Sequence, residues 1–231
     1  MRKIAVPAEK RITKARRTVS ERPAEPERAG LRAQGIRTRN AIVRVAKKLL
    51  LESGSLEFSL REVADRAEIS ISNLQYYFPT RLALLRAVVE PVIDTYLDRL
   101  KHALESDGPS RETIRALAER AYSDAKNTEH SAVWWHFASL AAIDPECSQL
   151  LDEWYESVTR EIAQLIRVVN PDCKLADSLH RAVLIIAMAD GLAYQIGAGR
   201  RMRDYTRGLD VKFLATVELL VYKQSQLGGK D

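Results

Sequence analysis

Ser59-Leu60-Arg61-Glu62-Val63-Ala64, then a short turn, then Ser70-Ile71-Ser72-Asn73-Leu74-Gln75-Tyr76-Tyr77-Phe78, is the stretch that decides the fold. Ser59 and Glu62 have the spacing of a capping box, in which hydroxyl and carboxylate each satisfy an orphan backbone N–H at a helix start. Leu60, Val63, Ala64 and Ala67 follow as an apolar stripe, and Ser70 is placed to cap another short helix ending near Tyr77. Upstream, Ile42, Val45, Ala46, Leu49 and Leu50 fall on one helical face, and Gly54 is positioned as a left-handed C-terminal cap. Three short helices with a tight turn between the last two describe a helix-turn-helix. Leu74, flanked by Ile69 and Phe78, anchors the third helix, which leaves Ser72, Asn73, Gln75 and Tyr76 facing outward. Asn and Gln can bond bidentately to adenine, Ser to several base edges, and an aromatic ring can pack on a thymine methyl. Tyr77, Thr80 and Arg81 lie where phosphate contacts fix register. The same spacing also describes a solvated polar corner on an aromatic cluster.

Helical periodicity continues to the end of the chain. Pro79-Thr80 restarts it into a long fourth helix, and Gly108-Pro109-Ser110, Asp144-Pro145 and Asn170-Pro171-Asp172 mark later breaks. The last two helices are expected near Leu175–Gly197 and Asp210–Gln226. No alternating strand pattern appears, so the fold class is all-α.

The 231 residues, 46% hydrophobic and 29% charged, are those of a globular protein with a net charge of only +5. The distribution of charge is more telling. Residues 1–86 hold 19 Lys and Arg against 9 Asp and Glu, a net of +10, while residues 87–231 are net −5. A basic binding module joined to an acidic body fits that asymmetry. Residues 1–34, with ten Lys and Arg, four Glu and three Pro, read as a disordered basic arm. That arm either follows phosphates or a minor groove, or serves as a solubilising tail. The expected division is therefore the arm at 1–34, a DNA-binding domain at 35–82, and a helical ligand-binding and dimerisation domain at 83–231.

Residues Ile36 to Leu85 resemble the DNA-binding domain of TetR-family regulators. The resemblance rests on Arg39-x-x-Ile42-x-x-x-Ala46, then Gly54, Ser59-Leu60-Arg61-Glu62-Val63-Ala64, Ser70-x-x-x-Leu74-x-Tyr76-Tyr77-Phe78, and Pro79-Thr80-Arg81-x-x-Leu84. Two positions depart from the family pattern. Glu68 stands where Gly is usual in the turn, which predicts a backbone that is either somewhat strained or differently arranged there. Gln75 replaces the usual Tyr after Leu74, leaving it as base reader or backbone contact. The resemblance implies a homodimer on near-palindromic double-stranded DNA, with half-sites about one helical turn (roughly 34 Å) or a multiple apart. It also implies release of the operator when a small ligand fills the C-terminal core. The DNA-contacting set is then Arg37, Arg61, Ser70, Ser72, Asn73, Gln75, Tyr76, Tyr77, Thr80 and Arg81, with the arginines on phosphates.

Trp134, Trp135, His136, Trp154 and Tyr194 are the candidate ligand-lining residues, because aromatic walls with polar tips typify small-molecule pockets. Aromatics at helical spacing are equally ordinary core. The stripe Leu179, Ala182, Val183, Ile186, Ala189, Asp190 and Ala193, with Phe213, Leu214, Val217, Leu220 and Val221, is expected to pair with a second copy through the last two helices. Burial within one chain is the alternative. Gly197-Ala198-Gly199 follows a helix and not a strand, so it is no phosphate loop. His102, His130, His136 and His180 form no ligand spacing, so no metal, cofactor or enzymatic activity is expected. Cys147 and Cys173 form no framework, and no signal peptide or bilayer span is evident, which favours a cytoplasmic protein. The expected function is a ligand-released transcriptional repressor; the alternative is a ligand-independent architectural or division-linked DNA-binding factor.

Overall fold

Side-chain caps open most of the helices in the computed structural model, which describes residues 25–54, 58–105, 110–197 and 203–222, with side chains from Ala33 onward. Ser59, Ser70 and Ser110 each accept a hydrogen bond from the N–H three residues ahead, and Asn127 and Asp144 each accept two. The Thr80 hydroxyl does the same for Ala83 at 3.1 Å. These caps lead into α2 (Leu60–Arg66), α3 (Ile71–Tyr77), α4 (Arg81–Glu105), α5 (Arg111–Ala125), α6 (Thr128–Ala141) and α7 (Pro145–Val169). They are joined by α1 (Glu25–Ser53), α8 (Leu175–Ile196), a 3-10 turn at Asp204–Thr206, and α9 (Leu209–Tyr222). The described residues are all helix and connection, with no strand.

Two local expectations come out differently in detail. Only half of the capping box forms, because the Glu62 carboxylate accepts from Arg66 one turn on, at 2.9 Å, instead of reaching back. The first helix starts at Glu25, inside the stretch expected to lack structure; residues 1–24 of that stretch lie outside the described residues. Proline suits the first turn of a helix because its N–H is not needed there and its φ is already helical, which fits a start just before Pro26. By packing, one unit comprises residues 1–38 and the second residues 39–231.

That second unit is single because the helix-turn-helix has no core of its own. Ile42, Ala46, Leu49, Val63, Ala64, Leu74 and Phe78 belong to the same buried cluster as Leu84, Leu85 and Val89 of α4, Val133 and Phe137 of α6, and Leu150 and Trp154 of α7. Three short helices bury too little apolar surface to stand alone, and α4, α6 and α7 complete the burial. A second cluster fills the far half, where α5, α8, α9 and the later turns of α7 meet around Ile114, Ile166, Ala182, Phe213 and Val217. α8 has the length and apolarity of a bilayer span, yet it packs on α5, α7 and α9. Its Arg181 pairs with Asp177 at 2.7 Å and donates to the Leu220 carbonyl at 2.9 Å, tying α8 to α9. Gly197 ends α8 where a Cβ would lie 2.4 Å from the Ala125 carbonyl oxygen, so the close approach of the two segments depends on a missing side chain.

The expected turn strain is present. Glu68 adopts φ +55°, the left-handed region that glycine occupies without penalty, and Gly54 ends α1 at φ +73°. A β-branched residue tolerates that region worst. Glu68→Val is therefore expected to destabilise the protein by about 1–2 kcal/mol, whereas Glu68→Gly stays within about 1 kcal/mol of the parent because strain relief and added chain entropy offset. Denaturant melts of the two variants check this; equal loss in both would locate the cost in the side chain and not in the backbone.

Candidate DNA-binding surface and core cavity

α3 is held by one side. Leu74 is completely buried and Phe78, its C-cap, nearly so, with the Arg39 guanidinium 5.1 Å above the Phe78 ring. Ser72, Asn73, Gln75 and Tyr76 all face outward as expected, Tyr76 at 81% exposure. Tyr77 is half-buried and meets Tyr76 edge-on at 5.1 Å between centroids. Ile71, which the sequence reading passed over, is also exposed at the start of the helix, an apolar group suited to a thymine methyl. Arg61 is exposed on α2, and Arg37 is exposed in the first unit. Ser70 and Thr80, assigned to DNA from the sequence, are helix caps whose oxygens already accept backbone N–H groups.

Arg81 differs from expectation. Its guanidinium pairs with Asp144, the residue that caps α7, so it ties the start of α4 to the start of α7. Two caps and a cation on one carboxylate hold Asp144 below its ordinary carboxyl value, the Cys147 backbone N–H being the largest contributor. Further ties run from α1 to α6 through Lys47 and Glu129, and from α4 to α7 through Arg86 and Glu153. The helix-turn-helix is thereby joined to the body by ion pairs as well as by shared core.

Within the body lies a cavity of about 220 Å³ bounded by α4 to α9. Trp134 and Trp154 line it, as the sequence suggested. Their rings sit 6.2 Å apart, and Tyr155 meets Trp134 edge-on at 5.9 Å. Trp135, His136 and Tyr194 do not line it. Trp135 stacks on Tyr194 at 4.5 Å, and the His136 ring lies beside Gly54 at the end of α1. Adjacent tryptophans point about 100° apart on a helix, so α6 sends one into the cavity and the other away.

The polar groups of the cavity were not found from sequence. Asp124, on α5, pairs with Arg120 at 2.8 Å and with Arg99 of α4 at 3.4 Å, and Tyr96 is held above the ordinary tyrosine value by burial and by that carboxylate. Across the cavity Tyr155 donates to Asp190 at 2.8 Å. Asp190 interrupts the apolar run of α8, and that interruption was the one sequence signal that marked it.

Of the face expected to pair with a second copy, Val183 is exposed, while most of the rest is turned inward. Ala182 and Ala193 are buried, and Ile186, Ala189, Asp190 and Ala193 line the cavity; Phe213, Val217 and Val221 are buried too. The opposite faces of the same helices are the exposed ones, with Val183, Leu184, Gly191 and Tyr194 on α8 and Val211, Ala215 and Leu219 on α9.

Comparison with known proteins bears on both regions. Residues 42–88 match the family model described as bacterial regulatory proteins of the tetR family, and residues 109–208 match the C-terminal model of BetI-type transcriptional repressors. The chain belongs to the TetR family. It is a DNA-binding transcriptional regulator and not an enzyme. It is 25% identical over 159 residues to the transcriptional regulator PksA of Bacillus subtilis, covering 67% of this chain and 76% of that protein. It is 29% identical over 152 residues to the transcriptional activator FasR of Mycolicibacterium smegmatis, covering 66% and 69%. The structure of Salmonella enterica GusR superposes with a TM-score of 0.66 at 17% identity, over 80% of this chain and 95% of that one, which shows a shared fold.

Burial holds the Asp190 carboxyl above its ordinary value despite the opposing bond from Tyr155. A folded state that favours the protonated acid loses stability as pH rises from the ordinary carboxylate range through the raised value, because the unfolded chain then binds fewer protons. Asp190→Asn is accordingly expected to melt above the parent at neutral pH, with the gain disappearing below the ordinary carboxylate range. A gain that is the same at both ends, read by calorimetry, would assign it to something other than the buried charge.

Proposed function

We propose that this TetR-family regulator is a homodimeric repressor that binds a near-palindromic operator and lets it go when a small effector enters the cavity. The observation that carries the DNA half is α3, a capped helix fixed through Leu74 that presents Ser72, Asn73, Gln75 and Tyr76 together on its exposed side. In this reading those four side chains and Ile71 read bases, while Arg61 and Arg37 neutralise phosphates. Tyr77 is assigned to a phosphate through its exposed edge. Ser70 and Thr80 contact DNA through the same helix starts that they cap, and Arg81 acts as a tether.

The apolar outer faces of α8 and α9 support a dimer formed by these helices, since exposed Val183, Leu184, Val211 and Leu219 lie on helices that already pack on each other. The cavity supports an effector, and α4 is the path between the two. It begins at the tether to Asp144, contains Pro91, and lines the cavity with Val92, Ile93 and Tyr96 directly afterwards. Proline lacks an N–H and leaves one helical bond unmade, so bending is easiest at this point. An effector acts only by binding the DNA-incompetent arrangement more tightly. A cytoplasmic setting fits the two buried free cysteines, and the BetI-type match favours the repressor sign.

Selection of bound duplexes from a random library at fixed, near-physiological salt tests the DNA reading. An enriched palindrome is expected; binding without enrichment supports a ligand-independent architectural factor instead, and absence of binding overturns the proposal. On the enriched site, Asn73→Ala and Gln75→Ala are each expected to cost about 1–3 kcal/mol and relax preference at single positions. Arg61→Ala weakens all sequences alike and lowers the salt slope by about 1. Arg81→Ala is expected to leave the base preference intact while weakening the response to effector. A uniform loss of affinity in that variant, with the salt slope lowered by about 1, would return Arg81 to the phosphate-contacting set.

A further inference from the structure

The cavity holds an acid without a cation. Asp190 lines it, on the stretch of α8 that otherwise contributes Ile185, Ile186, Ala189 and Ala193. Among the described residues, its one hydrogen bond is that which Oδ2 accepts from the Tyr155 hydroxyl, and none of their ion pairs includes it. A carboxylate taken out of water is costly unless it is paired, and a single phenol leaves most of its acceptor capacity unused. Tyr155 connects this acid to the two tryptophans, since its ring meets Trp134 while its hydroxyl holds Asp190. Aromatic rings and a carboxylate that line one space attract a cation by two additive effects.

The other charged groups around the cavity do not fill this role. Arg99 and Arg120 also line the cavity, but both are engaged by the Asp124 carboxylate, which offsets their charge, and not by Asp190. His130 lines the wall from α6 and Tyr96 from α4, without an ion pair to Asp190. The remaining lining is apolar apart from Ser131, whose hydroxyl bonds to the Ala125 carbonyl. Burial without a partner also accounts for the raised protonation of Asp190 described above.

Building on the effector-cavity reading above, we infer that the effector is a lipophilic amine or ammonium compound, its cationic nitrogen held between Asp190 and the Trp134–Trp154–Tyr155 rings and its apolar body against the aliphatic wall. A fatty carboxylate would meet Asp190 with like charge, and a neutral alcohol would leave the carboxylate desolvated. The charge on Asp190 thus sets effector specificity, while the aliphatic wall accepts any body of suitable size.

The test uses the full-length protein and three probes of one chain length: octylamine, octanol and octanoate. Binding is read by tryptophan fluorescence with no DNA present. Octylamine is expected to bind at least about tenfold more tightly than either other probe, and Asp190→Asn to remove that preference, with octanol then binding at least as tightly as it does to the parent because no carboxylate is left desolvated. Asp190→Glu keeps the preference, and this variant decides the matter if Asp190→Asn fails to fold. Equal or tighter binding of octanoate or octanol, no binding of octylamine, or an amine preference that survives Asp190→Asn overturns the inference. Operator release is measured separately. Asp190-dependent amine binding that never releases DNA leaves the ligand class standing and removes the induction reading, whereas release by octanoate alone does the reverse.

Discussion

Burial of Leu74 is the contact from which the rest of the DNA-binding surface follows. α3 is only seven residues long, too short to persist by itself, and Leu74 is its one fully buried side chain. With that side fixed, helical geometry leaves Ser72, Asn73, Gln75 and Tyr76 no direction but outward. The floor beneath Leu74 is not supplied by the helix-turn-helix alone. It extends through Leu84 and Val89 to Phe137 and Trp154, so the position of the reading helix is set partly by residues of the body. Trp154 stands at both ends of this relationship, in the cluster that supports α3 and in the wall of the cavity. Close-packed clusters transmit displacement because they have no slack to absorb it.

The parts of this arrangement that were legible in the sequence are those written locally. Caps at Ser59, Ser70, Ser110 and Asp144 announce helix starts within three residues of the groups they bond, and the stripes of α1 and α2 declare their inner faces by spacing alone. The outward face of α3 was legible for the same reason. The turn at Glu68 was legible as a departure from the TetR pattern, and it takes the left-handed conformation that glycine would take.

What escaped the sequence depends on partners far along the chain. Arg81 and Asp144 are 63 positions apart, and nothing near Arg81 distinguishes a phosphate contact from an ion pair. Tyr155 and Asp190 are 35 apart. Trp135, His136 and Tyr194 were grouped with the cavity on residue type, whereas the rotation of α6 and α8 about their own axes sends them elsewhere. α8 and α9 are apolar on two faces, so periodicity does not tell the face used inside the chain from the face left over. Most residues assigned to pairing between copies are the inner set, Val183 being the exception, and the rest of the outer set stands out only once the inner one is accounted for.

Asp190 has a bearing on how such a chain changes over generations. A hydrocarbon or amide side chain at that position relieves the folded protein of a buried charge, so drift toward greater stability runs directly against keeping the acid. An aspartate there is retained only while something selects for it. Replacement by a neutral residue yields a sturdier regulator that no longer distinguishes one charge of inducer from another, and a lineage under pressure for robustness alone is expected to lose its sensing before it loses its grip on DNA.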